Sequence, residues 1–102
     1  MKSSKTDVIV LATAKAKPGK EADVERALRD VAGPTRKQPG CVQFTLLRVA
    51  NDRSTIIGYE RWASEADHQQ HLKGAHVQEL MSRMADIIAG PPGIVSCEAI
   101  DE

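Results

Sequence analysis

Val8-Ile9-Val10-Leu11-Ala12-Thr13-Ala14, the turn Lys17-Pro18-Gly19-Lys20, and then Val24, Ala27, Leu28 and Val31 decide how the fold begins. The first run is rich in β-branched and aliphatic residues and belongs to an extended segment, Asp7 to Lys17, that reads as a strand. Pro18-Gly19 turns the chain. From Lys20 the apolar residues recur at i, i+3, i+4 and i+7, which is one face of an amphipathic helix. Glu25 and Arg29, four residues apart, pair on its outer side. Gly33-Pro34 is expected to kink or end this helix, because proline lacks the N–H that a helix ladder needs.

Working outward, Pro39-Gly40 closes the helical segment and Cys41 to Ala50 reads as a second strand. Asn51-Asp52-Arg53-Ser54 reads as a turn joining it to a third strand, Thr55 to Trp62, so the two form a hairpin. Ser64-Glu65-Ala66-Asp67 has the form of a capping box, with Ser64 at the helix start and Asp67 three positions on. A short helix then runs to about Lys73 and breaks at Gly74. Val77, Leu80, Met81, Met84, Ile87 and Ile88 form one apolar stripe of a further helix, with both methionines reading as core. Gly90-Pro91-Pro92-Gly93 stops that helix, and Ile94 to Ile100 reads as the last strand. The order is βαββαβ, which predicts an α+β, ferredoxin-like fold: a four-stranded antiparallel sheet, strand order 4-1-3-2, with helices on one face. Residues 1–6 read as a disordered tail and residues 7–102 as one domain.

The strands carry apolar residues on both faces. Val8, Val10 and Ala12 oppose Ile9 and Leu11; Val42, Phe44 and Leu46 oppose Leu47 and Val49; Ile94 and Ile100 oppose Val95, Cys97 and Ala99. A sheet with one wet face alternates apolar and polar residues, and this one does not. The helices cover one face only. Leaving roughly six to eight aliphatic side chains in water would forgo about 1.5–3 kcal/mol each. The expectation is a homodimer packed sheet to sheet.

Composition narrows the partners. The chain has 102 residues, 14 Lys plus Arg against 14 Asp plus Glu, and no net charge. Neither a basic excess nor a basic stripe is present, so nucleic acid is not an expected partner. No apolar run approaches the roughly 18–20 residues of a membrane span. Cys41 and Cys97 fall on opposite edge strands of the expected sheet, make neither a disulfide framework nor a zinc site, and point to the cytoplasm.

Three histidines, His68, His71 and His76, lie around the helix break. Their spacing matches no zinc motif, so no metal is expected; solvated or hydrogen-bonded rings are the plain alternative. A histidine needs only a pocket and a pKa near neutrality to act as acid or base. His71 shares its stripe with Leu72 and can point inward; His76 opens the next helix and can equally cap it. Tyr59-Glu60-Arg61-Trp62 ends the third strand, and period two places Glu60 and Trp62 on one face, Tyr59 and Arg61 on the other. Trp62 is either a core plug, beside a Glu60–Arg61 ion pair, or the wall of an aromatic pocket.

Lys17-Pro18-Gly19-Lys20-Glu21, Pro34-Thr35-Arg36, Gln38-Pro39-Gly40-Cys41, Tyr59-Glu60-Arg61-Trp62 and His71-Leu72-Lys73-Gly74-Ala75-His76-Val77, in this order and at these distances, resemble the antibiotic biosynthesis monooxygenase family. The resemblance runs from about Val8 to Ala99. It implies a dimeric α+β barrel, and an enzyme that oxygenates quinols or polycyclic phenols with dioxygen and without flavin, haem or metal. Trp62 matches a tryptophan that lines such a cavity in the family, and His71 and His76 match its recurrent histidines; the expectation is His71 as the catalytic acid/base, with Trp62, Tyr59 and His76 around a small aromatic substrate. Haem-degrading relatives carry an asparagine, a tryptophan and a histidine near the positions of Ala12, His71 and Met81, and their absence here disfavours haem chemistry. A branch that isomerises a phosphorylated autoinducer-2 signal and a non-catalytic binding module are the alternatives; no clear phosphate-binding cluster is visible.

Overall fold

A computed structural model describes residues 7–101. The expected tail, residues 1–6, lies outside the described residues. The elements are β1 (Val8–Lys15), α1 (Glu21–Arg36), β2 (Cys41–Val49), β3 (Asp52–Trp62), α2 (Glu65–Leu72), α3 (Ala75–Met84) and β4 (Gly93–Cys97). The four strands form one antiparallel sheet in the order β2-β3-β1-β4, the ferredoxin-like arrangement expected from the sequence. No described helix is long and apolar enough to cross a membrane.

The period change at Lys20 is realised as a strand-to-helix turn in which Gly19 takes a φ of +84°, a conformation costly for other residues. Val24, Ala27, Val31 and Thr35 are the buried stripe of α1. They pack with Ala14, Ala16 and Ile56 of the sheet at one end and with Phe44 and Val77 at the other. Contrary to expectation, α1 runs through Pro34 to Arg36. The proline stands in the last turn on the exposed side, where one missing donor costs little. Thr35, fully buried, donates its hydroxyl to the Val31 carbonyl at 2.7 Å, and Arg36 Nε donates to the Phe44 carbonyl at 3.0 Å, tying the end of the helix to β2.

Three boundaries also differ. Val49 pairs with Asp52, so the hairpin turns at Ala50-Asn51, and Asp52 instead accepts bonds from the Ser54 backbone and from the Ser54 and Thr55 hydroxyls. Helix α3 stops at Met84, short of Ile88. The chain there leaves the helix to pair with the end of β1, through Lys17 N–H to the Ile87 carbonyl at 2.9 Å and Ala89 N–H to the Lys15 carbonyl at 2.7 Å. Met81, expected in the core, is 49% exposed. The last strand ends at Cys97, and Ile100 stands in solvent.

The helices cover the sheet face that carries Val10, Ala14, Phe44, Ile56 and Trp62. The opposite face presents Thr45, Tyr59, Leu11 and Val95 as one row across all four strands, flanked by Leu47 and Ile57. Leu47 and Val95 are exposed there. The two-faced strands of the sequence are real.

Candidate functional site

A cavity of about 500 Å³ lies between the helix-side face of the sheet and helices α1 and α3. Its floor is Ala12 and Gly58, neighbours on β1 and β3. Phe44, Leu46, Leu80, Met84 and Ile88 are among its walls, and Met81, Pro91, Pro92 and Ile94 stand at its exposed side. Almost every lining group is apolar. The exceptions are Thr13 and, at one end, the pair Glu60 and His71. None of the described residues that line it is lysine or arginine.

Local rules place the polar end. Alternation on β3 sends Glu60 and Trp62 to the helix side. Ser64 starts α2 by accepting the Asp67 N–H at 3.1 Å, and His68 and His71, three apart, then face the sheet together. Gly74, the residue that caps α3, leaves room for His76: a side chain there would press on the His76 ring and the His71 carbonyl. Gly40, at a φ of +82°, lets the Gln38–Cys41 turn run against Asp67, where a Cβ would collide.

Trp62 has no exposed surface; its indole N–H donates to Glu60 Oε1 at 2.9 Å, and its ring lies 4.6 Å from that of His71. Glu60 Oε1 is 3.9 Å from His71 Nε2. That is too long for a direct hydrogen bond, yet short enough for one oxygen atom standing beside the pair, toward the cavity, to bond both. Burial pushes the Glu60 carboxyl above the usual range, against the opposing indole bond. Burial also pushes His71 down to about 4, helped by the neighbouring His76 and His68. On its other side His71 Nδ1 lies 2.7 Å from Gln38 Oε1, and His76 Nε2 lies 3.1 Å from the same oxygen. His68 is buried against Trp62 with Nδ1 unbonded among the described residues, and burial lowers its pKa too.

The structure therefore brings His71, Trp62 and His76 together and sets Tyr59 apart. Trp62 stands behind Glu60 and His71 rather than on the cavity surface. Tyr59 is on the opposite sheet face, where its hydroxyl accepts from Arg61 at 3.0 Å. The Glu60–Arg61 ion pair does not form: neighbours on a strand point to opposite faces, and Arg61 pairs with Asp7 at 3.3 Å. Two site residues escaped the sequence reading, Glu60 and Gln38. The signal for Glu60 was a carboxylate on the same strand face as the buried tryptophan; Gln38 is 33 residues from His71 and had no local signal. Cys41 and Cys97 are free, and burial, with Glu60 nearby, pushes the Cys41 thiol above its ordinary pKa. Among the described residues no group of three or more His, Cys, Asp or Glu is placed to hold a metal ion.

The profile of the family described as "Antibiotic biosynthesis monooxygenase" matches residues 7–83. "Putative monooxygenase YcnE" of Bacillus subtilis is 23% identical over 91 residues, 89% of this chain and 96% of that protein. The uncharacterized protein sll1783 of Synechocystis is 21% identical over 94 residues, 92% of this chain and 64% of that protein, so the chain spans under two thirds of its length. The solved structure of Rv0793 from Mycobacterium tuberculosis superposes with a TM-score of 0.89 at 21% identity, covering 94% of this chain and 97% of that one.

Proposed function

The chain belongs to the antibiotic biosynthesis monooxygenase family, and from that premise we propose that it is a cofactor-independent monooxygenase of a quinol or similar phenolic ring, working in the cytoplasm as a sheet-to-sheet homodimer. The observation that carries the reading is the 3.9 Å gap between Glu60 Oε1 and His71 Nε2 at the polar end of an otherwise apolar cavity. A planar ring is taken to lie over the Ala12–Gly58 floor, with one ring hydroxyl beside the pair and within reach of both. Its proton then has two acceptors, the carboxylate and the bare imidazole nitrogen. The resulting phenolate is electron-rich enough to reduce dioxygen. One oxygen atom enters the ring and the other leaves as water, and all the electrons come from the substrate. The protein's part is to hold the ring, exclude water, and take and return the proton. His71 is the acid/base and Glu60 its partner; Trp62 and His76 hold that pair in place, and Tyr59 serves the dimer face.

The test is oxygen uptake with a panel of reduced naphthoquinols, read against the autoxidation blank. Uptake above the blank that falls about 10²-fold or more in His71→Ala is the expected result. No uptake above the blank with any quinol would overturn the reading.

A second reading, a non-catalytic module that binds a small aromatic molecule, is favoured by the low pKa of His71, which makes it a weak base at neutral pH. It gives stabilisation by ligand, about 2.7 kcal/mol at 100 times Kd, without turnover. A phosphorylated substrate, as for the isomerase branch, is disfavoured by a cavity whose described lining contains no cation.

A further inference from the structure

We propose that Gln38 is a positioning residue that fixes the tautomer of His71: its side-chain oxygen takes the N–H of Nδ1 and so leaves Nε2 bare and facing Glu60 and the cavity. An amide oxygen only accepts. With His71 Nδ1 at 2.7 Å and His76 Nε2 at 3.1 Å, both its acceptor directions are engaged, and each ring must present an N–H to it. A neutral imidazole carries one N–H, so the other nitrogen of His71 is an acceptor. That nitrogen is the one 3.9 Å from Glu60 Oε1.

Gln38 is built to hold this position. Its own N–H donates to the Thr35 carbonyl at 3.0 Å and its carbonyl accepts from Cys41 N–H at 3.1 Å, so the backbone is pinned on both sides just beyond α1. His76 adds a second bond to the same oxygen from the first turn of α3. Three elements thus converge on one acceptor: the α1–β2 turn, α2 and α3. A ring free to choose its tautomer could instead place its proton on Nε2, on the side of Glu60, and the base facing the cavity would be lost.

The catalytic consequence rests on the function proposed above; the tautomer does not, and can be read without substrate. Side-chain ¹⁵N shifts of His71, from long-range proton–nitrogen correlation at neutral pH, give the protonated nitrogen directly. Wild type should show Nδ1–H and a bare Nε2. Gln38→Glu keeps the acceptor and adds a charge, so it should keep this tautomer and raise the His71 midpoint by about 1–3 pH units. Burial sets that midpoint first, then His76 from α3 and His68 from α2; Glu60 from β3 also faces the ring, with Cys41 at the start of β2 beside Glu60. Gln38→Met keeps the length and removes the acceptor, and should move the proton to Nε2, with melting temperature as the control for folding. Where quinol turnover is measurable, Gln38→Met should lower kcat about 10-fold or more and Gln38→Glu should shift the pH profile upward. A wild-type proton on Nε2, or a tautomer unchanged in Gln38→Met, overturns the proposal. An enzyme that turns over no quinol but shows the expected tautomers overturns only the function.

Discussion

Replacing His71 by phenylalanine should change how stability depends on pH, in a direction and over a window that the structure fixes. The imidazole falls from its ordinary 6.5 to about 4 on folding. Between those values the unfolded chain binds a proton that the folded chain refuses, so the contribution of His71 is complete above pH 6.5 and is lost as the pH falls toward 4. Below about 4 both states bind the proton and the slope ends. In full, such a displacement corresponds to on the order of 3 kcal/mol at about 1.4 kcal/mol per pH unit. Solvent screening where the ring borders the cavity reduces this to about 2 kcal/mol.

Glu60 acts in the opposite sense. Its raised carboxyl favours folding at low pH, and that contribution is lost as the pH climbs from the ordinary 4.5 through the folded value. His68 follows His71. A wild-type profile alone therefore mixes all three, and the informative quantity is the difference between two proteins. Phenylalanine fills the ring space beside Trp62 and Phe44 without titrating. Urea unfolding followed by circular dichroism, from pH 4 to 8 at one protein concentration, should show the wild type losing about 2 kcal/mol more than His71→Phe between pH 6.5 and 4. Parallel profiles would refute the reasoning.

Two further outcomes test the floor and the open face. Gly58 has no positive φ, and a Cβ there would meet Ala12 and Glu60 at no less than 3.8 Å; Gly58→Ala should leave stability equal or up to about 1 kcal/mol higher, yet reduce the melting shift given by a stable naphthol, and an unchanged shift would count against ring binding over that floor. Light scattering at micromolar concentration should give a dimer mass for the wild type and a monomer mass for Val95→Glu, whose buried charge would cost several kcal/mol; a monomeric wild type would sink the sheet-to-sheet dimer.

Most of the fold was legible because it rests on local period. The switch from alternation to a helical stripe at Lys20, the cap at Ser64 and the break at Gly74 each depend on residues a few positions apart. The misread places depend on partners far along the chain. Helix α3 gives up Ile87 and Ile88 because the end of β1 offers its backbone there, and no local pattern announces that exchange. Helix α1 keeps Pro34 because Thr35 and Arg36 are held from Val31 and Phe44. Met81 lies on the stripe by spacing, yet the cavity leaves no core at its position to join. The candidate site divides in the same way. His71 was readable from its place on a helix face, whereas Glu60 became a site residue only when α2 closed over β3, and Gln38 only when the α1–β2 turn met both histidines.

The polar end of the cavity is costly to the fold, and that cost bears on what it is for. Burial disfavours charge on Glu60 and on His71 alike, raising one pKa and lowering the other. His68 adds a buried ring nitrogen without a bond among the described residues. Apolar residues of similar volume would serve packing better. The indole bond to Glu60 and the amide bond to His71 do not remove the expense; they orient the two groups at a separation where neither satisfies the other. A pair arranged for stability would close to hydrogen-bond distance. A pair arranged to share a third oxygen would stand beyond direct contact, as these two do, with burial favouring the neutral form of each group. The geometry of Glu60 and His71 is of the second kind, which is why a hydroxyl-bearing ring, rather than a purely apolar molecule, is the ligand class to try first.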